Sequence, residues 1–165
     1  MDALGALETL TRHGVRFLVI GGVAGRLQGS PTVTDDIDIC YARDEENLER
    51  LAAALRELGA RLRGPHLPDD LPFVLDGTTL ALGDTFTFST TAGPLDILAT
   101  PSGTRGFDDL NRDADEMPLG DFAVRVASID ALIRMKKAAG RKEDLIEVEV
   151  LGALRHEIDE ADDPG

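Results

Sequence analysis

The stretch VIGGVAGRLQGSPTVTDDIDIC, residues 19–40, combines a glycine pair with two carboxylates that alternate with isoleucines. Successive side chains of a strand point to opposite faces of its sheet, so Asp36 and Asp38 share one face and the two isoleucines share the other. Asp is a poor strand former, and neighbouring like charges repel. The alternation therefore predicts a strand over 36–40 in which something offsets the repulsion.

Length and charge limit the class of protein. The chain has 165 residues, 42% of them hydrophobic, which predicts a single folded domain over 1–165. A formal net charge of -14 disfavours a surface that binds nucleic acid or anionic membranes indiscriminately. The charge is uneven, because a basic cluster lies at 134–142 and an acidic tail, expected to be flexible, at 157–165.

Cysteine usage and hydropathy indicate the compartment. Cys40 is the only cysteine, so an internal disulfide is impossible, and the histidines have no zinc-site spacing. The N-terminus lacks a basic region followed by an apolar run, and no stretch approaches the ~18 apolar residues of a membrane helix. We expect a cytoplasmic protein that does not contact membranes.

The first third of the chain alternates helices with strands. Asp44 and Gly59 bracket the clearest helix, whose leucines recur at helical spacing. The predicted elements are a helix ending at Gly14, a strand over 15–20, a short helix over 23–28, the strand 36–40 and a helix over 44–59.

The remainder is less regular until its C-terminal helices. A proline-rich loop around 65–72 comes first, and Ser128 is a suitable N-cap for a later helix. The predicted elements are strands over 78–82, 85–89 and 95–99, a short helix within 104–112, a strand over 122–126, and helices over 128–140 and 141–158.

The carboxylates point to a metal. Paired acids become favourable when a divalent cation lies between them, since Mg²⁺ prefers carboxylate oxygens and keeps positions open for water and phosphate. Asp96 is a third acid inside an apolar strand, a costly position unless it is compensated. Three acids on adjacent strands could bind the ions of a two-metal phosphoryl transfer. A solvated strand edge is the alternative interpretation.

The glycine pair lies where a strand ends and a short helix begins. At Gly21 and Gly22 the missing side chains would let a phosphate approach backbone N–H groups. A plain turn is the alternative. A dinucleotide-binding motif fits less well, because G-x-G-x-x-G is incomplete and the next strand carries two acids.

In their order and spacing these motifs resemble the DNA polymerase β-like nucleotidyltransferase superfamily: a strand, Gly21-Gly22, thirteen residues, Asp36-Ile37-Asp38 and a later Asp96. VRVASIDALIRMKKAAGRKEDLIEVEVL, residues 124–151, is similar to small bacterial nucleotidyltransferases of the AbiEii type, toxins of type IV toxin-antitoxin systems. The resemblance implies an α/β fold, a mixed twisted β-sheet flanked by helices, with C-terminal helices.

The resemblance also implies transfer of a nucleoside monophosphate from an NTP to a hydroxyl, with Mg²⁺ or Mn²⁺. Gly21 and Gly22 would then face the triphosphate. Asp36, Asp38 and Asp96 would be the catalytic metal ligands, and Asp96 would also help deprotonate the acceptor.

The same resemblance implies roles for three residues near the C-terminus. Lys136 would approach the nucleotide phosphates, and Arg141 and Asp144 would support nucleotide binding. Relatives often carry an Arg at the position that is Thr32 here.

Several classes of molecule could supply the hydroxyl that accepts the nucleoside monophosphate. A tRNA or another RNA, modified by a toxin that has a cognate antitoxin partner, is the leading hypothesis, and the 134–142 cluster would have to meet that RNA. The alternatives are a lincosamide- or aminoglycoside-like antibiotic, a protein side chain, or a catalytically inactive nucleotide-binding or antitoxin-like module.

Overall fold

A computed structural model describes residues 1–68 and 72–162. Within these ranges the helices are α1 (Ala3–Arg12), α2 (Gly21–Leu27), α3 (Glu45–Glu57), α4 (Gly77–Leu80), α5 (Phe107–Asn111), α6 (Ile129–Ala139) and α7 (Lys142–Asp162). The strands described are β1 (Phe17–Ile20), β2 (Ile37–Tyr41), β3 (Arg61–Leu62), β4 (Thr85–Thr90), β5 (Gly93–Leu98), β6 (Asp115–Leu119) and β7 (Phe122–Val126).

The strands of the described ranges form one sheet, in the order β3-β4-β5-β2-β1-β7-β6. β2 runs parallel to β5, and β1 runs parallel to β7, while the other neighbours are antiparallel. The sheet is therefore mixed and flanked by helices, which confirms the predicted fold class.

The central strands bury an apolar face. Ile37 and Ile39 of β2 are register partners of Leu95 and Ile97 of β5, and all four side chains are fully buried. Leucines of α1 and α3 belong to the same core. Because side chains alternate along a strand, Asp38 and the residue paired with it on β5 lie on the opposite face.

Local capping explains several helix boundaries. The side chain of Asp44 accepts a hydrogen bond from the backbone N–H of Asn47 at the start of α3, and Ser128 does the same for Ala131 at the start of α6. Gly140 ends α6 in the left-handed conformation, with φ 67°. These boundaries match the sequence signals within one or two residues.

The strand predicted over 78–82 is wrong, because this segment forms the short helix α4. The Asp76 side chain accepts a hydrogen bond from the N–H of Thr79 at 2.8 Å, and Glu49 of α3 accepts one from the N–H of Gly77 at 3.0 Å. An N-cap and a contact with α3 thus outweigh the strand propensity of two threonines.

Two strands were not predicted. β3 has two residues and lies at the sheet edge beside β4, and β6 forms a hairpin with β7. The loop predicted around 65–72 lies partly outside the described residues. Residues 157–162, the first part of the acidic tail, continue α7. The flexibility of the tail stays a prediction. None of the described helices is both long and apolar enough to cross a bilayer.

Candidate active site

Two carboxylates meet on the polar face of the sheet. Asp38 of β2 and Asp96 of β5 are register partners in adjacent parallel strands, and Ile20 at the end of β1 pairs with Asp38 from the other side. Both aspartates line a cavity of about 430 Å³ between the sheet and the C-terminal helices. Asp36 lies immediately before β2, close enough for its charge to act on Asp38.

The environment of Asp38 disfavours its charged form. Burial is the largest cause, followed by the charge of Asp96, hydrogen bonding to Asp96 and the charge of Asp36, and together they raise the pKa of Asp38 to about 7. Lys136 acts in the opposite direction with a smaller effect. A buried carboxylate whose charge is not compensated by the fold would be stabilised in its ionised form by a bound cation.

Asp96 has a cationic neighbour that sequence analysis missed. Arg63, just beyond β3, places its Nη2 3.3 Å from Oδ1 of Asp96, and its backbone N–H donates to the carbonyl of Thr87 on β4. Arg63 precedes Asp96 by 33 positions, so no local pattern links them. The guanidinium orients the second carboxylate of the pair.

The glycine pair makes room for the chain's own side chains. Gly21 has φ +66°, and a Cβ there would lie 2.2 Å from Oδ2 of Asp38. A Cβ on Gly22 would lie 2.5 Å from Cβ of Thr34. The sequence hypothesis explained these glycines by access for phosphate, whereas the structure explains them by the close approach of Asp38 and Thr34. A contact with triphosphate stays a prediction.

A buried acid joins the last two helices. Asp144 near the start of α7 has a side chain 3% exposed, and its Oδ1 accepts a hydrogen bond from Nζ of Lys136 on α6 at 3.1 Å. Nε of Arg141 donates to its Oδ2 at 2.7 Å. Burial acts to raise the pKa of Asp144, but the hydrogen bonds from Arg141 and Lys136 outweigh it, so the pKa lies below its ordinary value.

The predicted site residues converge in large part. The lining of the 430 Å³ cavity includes Gly21, Asp38, Asp96, Lys136, Arg141 and Asp144, whereas Gly22 and Asp36 are not among its lining residues. Apolar side chains that sequence analysis did not assign to the site complete the wall, among them Leu98, Leu132 and Met135. Leu98 could have been found, because it lies two residues after Asp96 on the same strand face.

The acids fit a hard divalent cation as a pair. A cation between Asp38 and Asp96 would remove the repulsion that raises the pKa of Asp38. Among the described residues no group of three or more His, Cys, Asp and Glu side chains is arranged to bind a metal. Asp38 and Asp96 share the cavity wall and Asp36 stands beside them, so binding of one cation by all three carboxylates stays a prediction.

The fold was compared with those of known proteins. No protein-family model and no curated protein matches the sequence. Among solved structures, the chain is similar to the lincosamide antibiotic adenylyltransferase LnuA in its lincomycin-bound form, with 16% identity, coverage of 93% of this chain and 96% of that one, and a TM-score of 0.62.

Two further structures are similar from end to end. A candidate nucleotidyltransferase from Thermotoga maritima has 18% identity, coverage of 95% and 92%, and a TM-score of 0.51. The antibiotic-resistance factor ANT(2'')-Ia has 16% identity, coverage of 98% and 94%, and a TM-score of 0.52. At these identities the likeness concerns the fold, and the chain therefore has the fold of the nucleotidyltransferases.

Proposed function

We propose that this protein is a metal-dependent nucleotidyltransferase, of the EC 2.7.7 type, that moves a nucleoside monophosphate from an NTP to a hydroxyl acceptor. The observation that carries the proposal is the register pairing of Asp38 with Asp96 beside Gly21, on the wall of a cavity that Lys136 also lines. The fold shared with an adenylyltransferase and with other nucleotidyltransferases supports it.

The chain's own residues supply the other parts of the reaction. Asp38 and Asp96, with Asp36 beside them, would bind Mg²⁺ or Mn²⁺, which when bound neutralises phosphate charge and activates the acceptor hydroxyl. Lys136 donates hydrogen bonds to phosphate oxygens as a point charge, and Asp144 orients it.

The step itself is an in-line displacement. Asp96 accepts the proton of the acceptor hydroxyl. The acceptor oxygen then bonds to the α-phosphorus, and the bond from that phosphorus to its bridging oxygen breaks, which releases pyrophosphate.

A small hydroxyl-bearing molecule is the acceptor that the geometry favours. A cavity of about 430 Å³ with an apolar wall at Leu98, Leu132 and Met135 has the size and lining of small-molecule sites. The structure of LnuA, which is similar in fold, has lincomycin bound. An antibiotic-like molecule therefore replaces RNA as the first candidate.

The basic cluster at 134–142 offers less to RNA than its sequence indicates. Arg134 is paired with Asp109 at 3.3 Å, and Lys136 and Arg141 both contact Asp144. Three of the five cations of the cluster thus have an acid of the fold within contact distance, which lowers the net positive charge that this surface presents to a nucleic acid, while Lys137 and Lys142 are exposed. A tRNA-modifying toxin of the AbiEii type, with a cognate antitoxin, remains the second candidate, supported by the Lys136, Arg141 and Asp144 arrangement.

The test is a labelling experiment. The protein is incubated with each α-labelled NTP and Mg²⁺, once with a panel of hydroxyl-bearing antibiotics and once with total tRNA, with Asp38→Asn as the matched inactive variant. We expect label in a small product that depends on one NTP and is absent with the variant. Label in tRNA alone would establish the second candidate, and no label in either arm would contradict the proposed function.

A further inference from the structure

We infer that Glu147 on α7 is a positioning residue that fixes the 29–36 loop and, through it, the location of Asp36. The loop joins α2 to the strand that carries Asp38. The effect on catalysis rests on the proposed function, whereas the effect on the loop does not.

One carboxylate contacts the loop at two points. The Thr32 hydroxyl donates to Oε2 of Glu147 at 2.7 Å, and the Ser30 hydroxyl lies 3.2 Å both from Oε1 of Glu147 and from Oγ1 of Thr32, so its one proton is shared between these two acceptors. An ionised carboxylate only accepts hydrogen bonds, so the Thr32 hydroxyl is oriented toward α7 and the Ser30 hydroxyl can be. The backbone N–H of Thr32 in turn donates to the Ser30 hydroxyl at 3.3 Å, which fixes the first half of the loop.

The second half of the loop leads to the carboxylate pair. Thr34 lies against Gly22, and its hydroxyl donates to the carbonyl of Asp36 at 3.2 Å and accepts from the N–H of Asp36 at 3.4 Å. Asp36 in turn contributes to the raised pKa of Asp38. The loop thus connects the residues that Glu147 contacts to Asp36, which stands beside the Asp38–Asp96 pair.

On its other side the loop is held by α2, where the backbone N–H of Ser30 donates to the Gly25 carbonyl at 2.8 Å and Nη1 of Arg26 donates to the Thr32 carbonyl at 3.3 Å. Val33 at its centre is 80% exposed, so apolar burial contributes little there.

α7 packs within contact distance of the end of α2 and of the loop. A Cβ on Gly25 would lie 3.6 Å from Oε1 of Glu147, and one on Gly29 would lie 3.4 Å from Leu154. Among the described residues, the side-chain hydrogen bonds that join this loop to α7 are those of Glu147.

Hydrogen exchange of the full chain, without metal or nucleotide, tests the link directly. Glu147→Ala leaves two hydroxyls without their charged acceptor, and we expect amides of 30–36 to exchange at least about tenfold faster than in the unmodified protein. Glu149→Ala, at an exposed position two residues along the same helix, is the control and should leave these amides unchanged.

A double variant distinguishes the link from a general loss of packing. Thr32→Val removes one of the two hydroxyls together with its contact to Ser30, and combining it with Glu147→Ala should add less exchange than Thr32→Val causes by itself. Equal exchange in Glu147→Ala and the unmodified protein, or an equal increase in Glu149→Ala, would overturn the inference. If Glu147→Ala does not fold, Thr32→Val carries the same test with a smaller expected increase.

Mg²⁺ dependence tests the consequence for the site. In Glu147→Ala the Mg²⁺ concentration for half-maximal nucleotide transfer should rise about tenfold, and excess Mg²⁺ should restore kcat, since a displaced ligand weakens metal binding. A lowered kcat that excess Mg²⁺ does not restore would contradict positioning of Asp36. If the unmodified protein transfers no nucleotide, the proposed function fails, and the exchange measurements still decide whether Glu147 fixes the loop.

Discussion

Asp38 and Asp96 occupy matching positions on adjacent parallel strands, so that two carboxylates face the same cavity side by side. Arg63 contacts Asp96 at 3.3 Å, while the raised pKa of Asp38 shows that its own charge is poorly compensated. An acid in this environment costs stability unless a cation compensates it, and the predictions that follow rest on the proposed metal site.

Asp38→Asn should lower nucleotide transfer at least about 10³-fold, because a metal ligand is lost and metal-ion charge stabilisation amounts to several kcal/mol. The amide keeps the shape of the side chain and removes one member of a repelling pair, so the melting temperature should not fall. Steady-state transfer and thermal melting of the same preparation check both statements. Asp35→Asn, at an exposed neighbouring position, should behave as the unmodified protein.

Stabilisation by Mg²⁺ should depend on pH. The folded-state pKa of Asp38, about 7, lies above its ordinary value of 3.8, so the folded metal-free protein binds the extra proton. The resulting stability is fully present below the ordinary pKa and is lost as the pH rises through about 7.

Mg²⁺ competes with that proton for the carboxylate. We expect Mg²⁺ to raise the melting temperature slightly at about pH 5.5 and more at about pH 8. At the higher pH the gain in the free energy of unfolding approaches about 2.7 kcal/mol when Mg²⁺ exceeds its Kd a hundredfold. Differential scanning calorimetry with and without Mg²⁺ measures it. Equal shifts at both pH values, or a shift that persists in Asp38→Asn, would contradict binding at this carboxylate.

Gly21→Ala should disrupt the site in addition to straining the backbone. A Cβ at Gly21 collides with Asp38, whereas Gly120, with φ +72°, has nothing within 4 Å of its Cβ position. Gly120→Ala therefore reports the cost of a left-handed alanine alone, about 1–2 kcal/mol.

Gly21→Ala should cost more than that in the free energy of unfolding and should also remove the Mg²⁺-induced melting shift. Chemical denaturation of the two variants measures the difference. An identical loss of stability, with the Mg²⁺ response intact, would show that Asp38 moves aside at no cost.

Lys136→Ala should lower both rate and stability. The effect on stability is expected because Lys136 is paired with the buried Asp144. Loss of a hydrogen bond to a charged group costs about 1.5–3 kcal/mol, and loss of one contact to developing phosphate charge about 10²-fold in rate.

Lys137→Ala, next to it on α6 and exposed, is the matched control and should change neither quantity substantially. Transfer kinetics and denaturation of both variants check the pair. A Lys136→Ala protein with full activity would place Lys136 outside the reaction, with a purely structural role toward Asp144.

Elements with a strong local signal were predictable from the order of residues. α3 and α6 have apolar side chains at helical spacing and side-chain caps at Asp44 and Ser128, and both signals act within a few residues. β2 was predictable from its alternation. β3 and β6 were not, because a two-residue edge strand and a strand containing Pro118 have almost no pattern of their own and form by pairing with a neighbour.

The candidate site divides in the same way. Asp38 and Asp96 were recognisable because an acid inside an apolar strand is costly wherever it occurs, and that cost is a local property. Arg63 and Glu147 were not, since they lie 33 and 115 positions from their partners Asp96 and Thr32. The register between β2 and β5 and the packing of α7 against the 29–36 loop are long-range contacts, and no short-range periodicity encodes which distant residues they bring together.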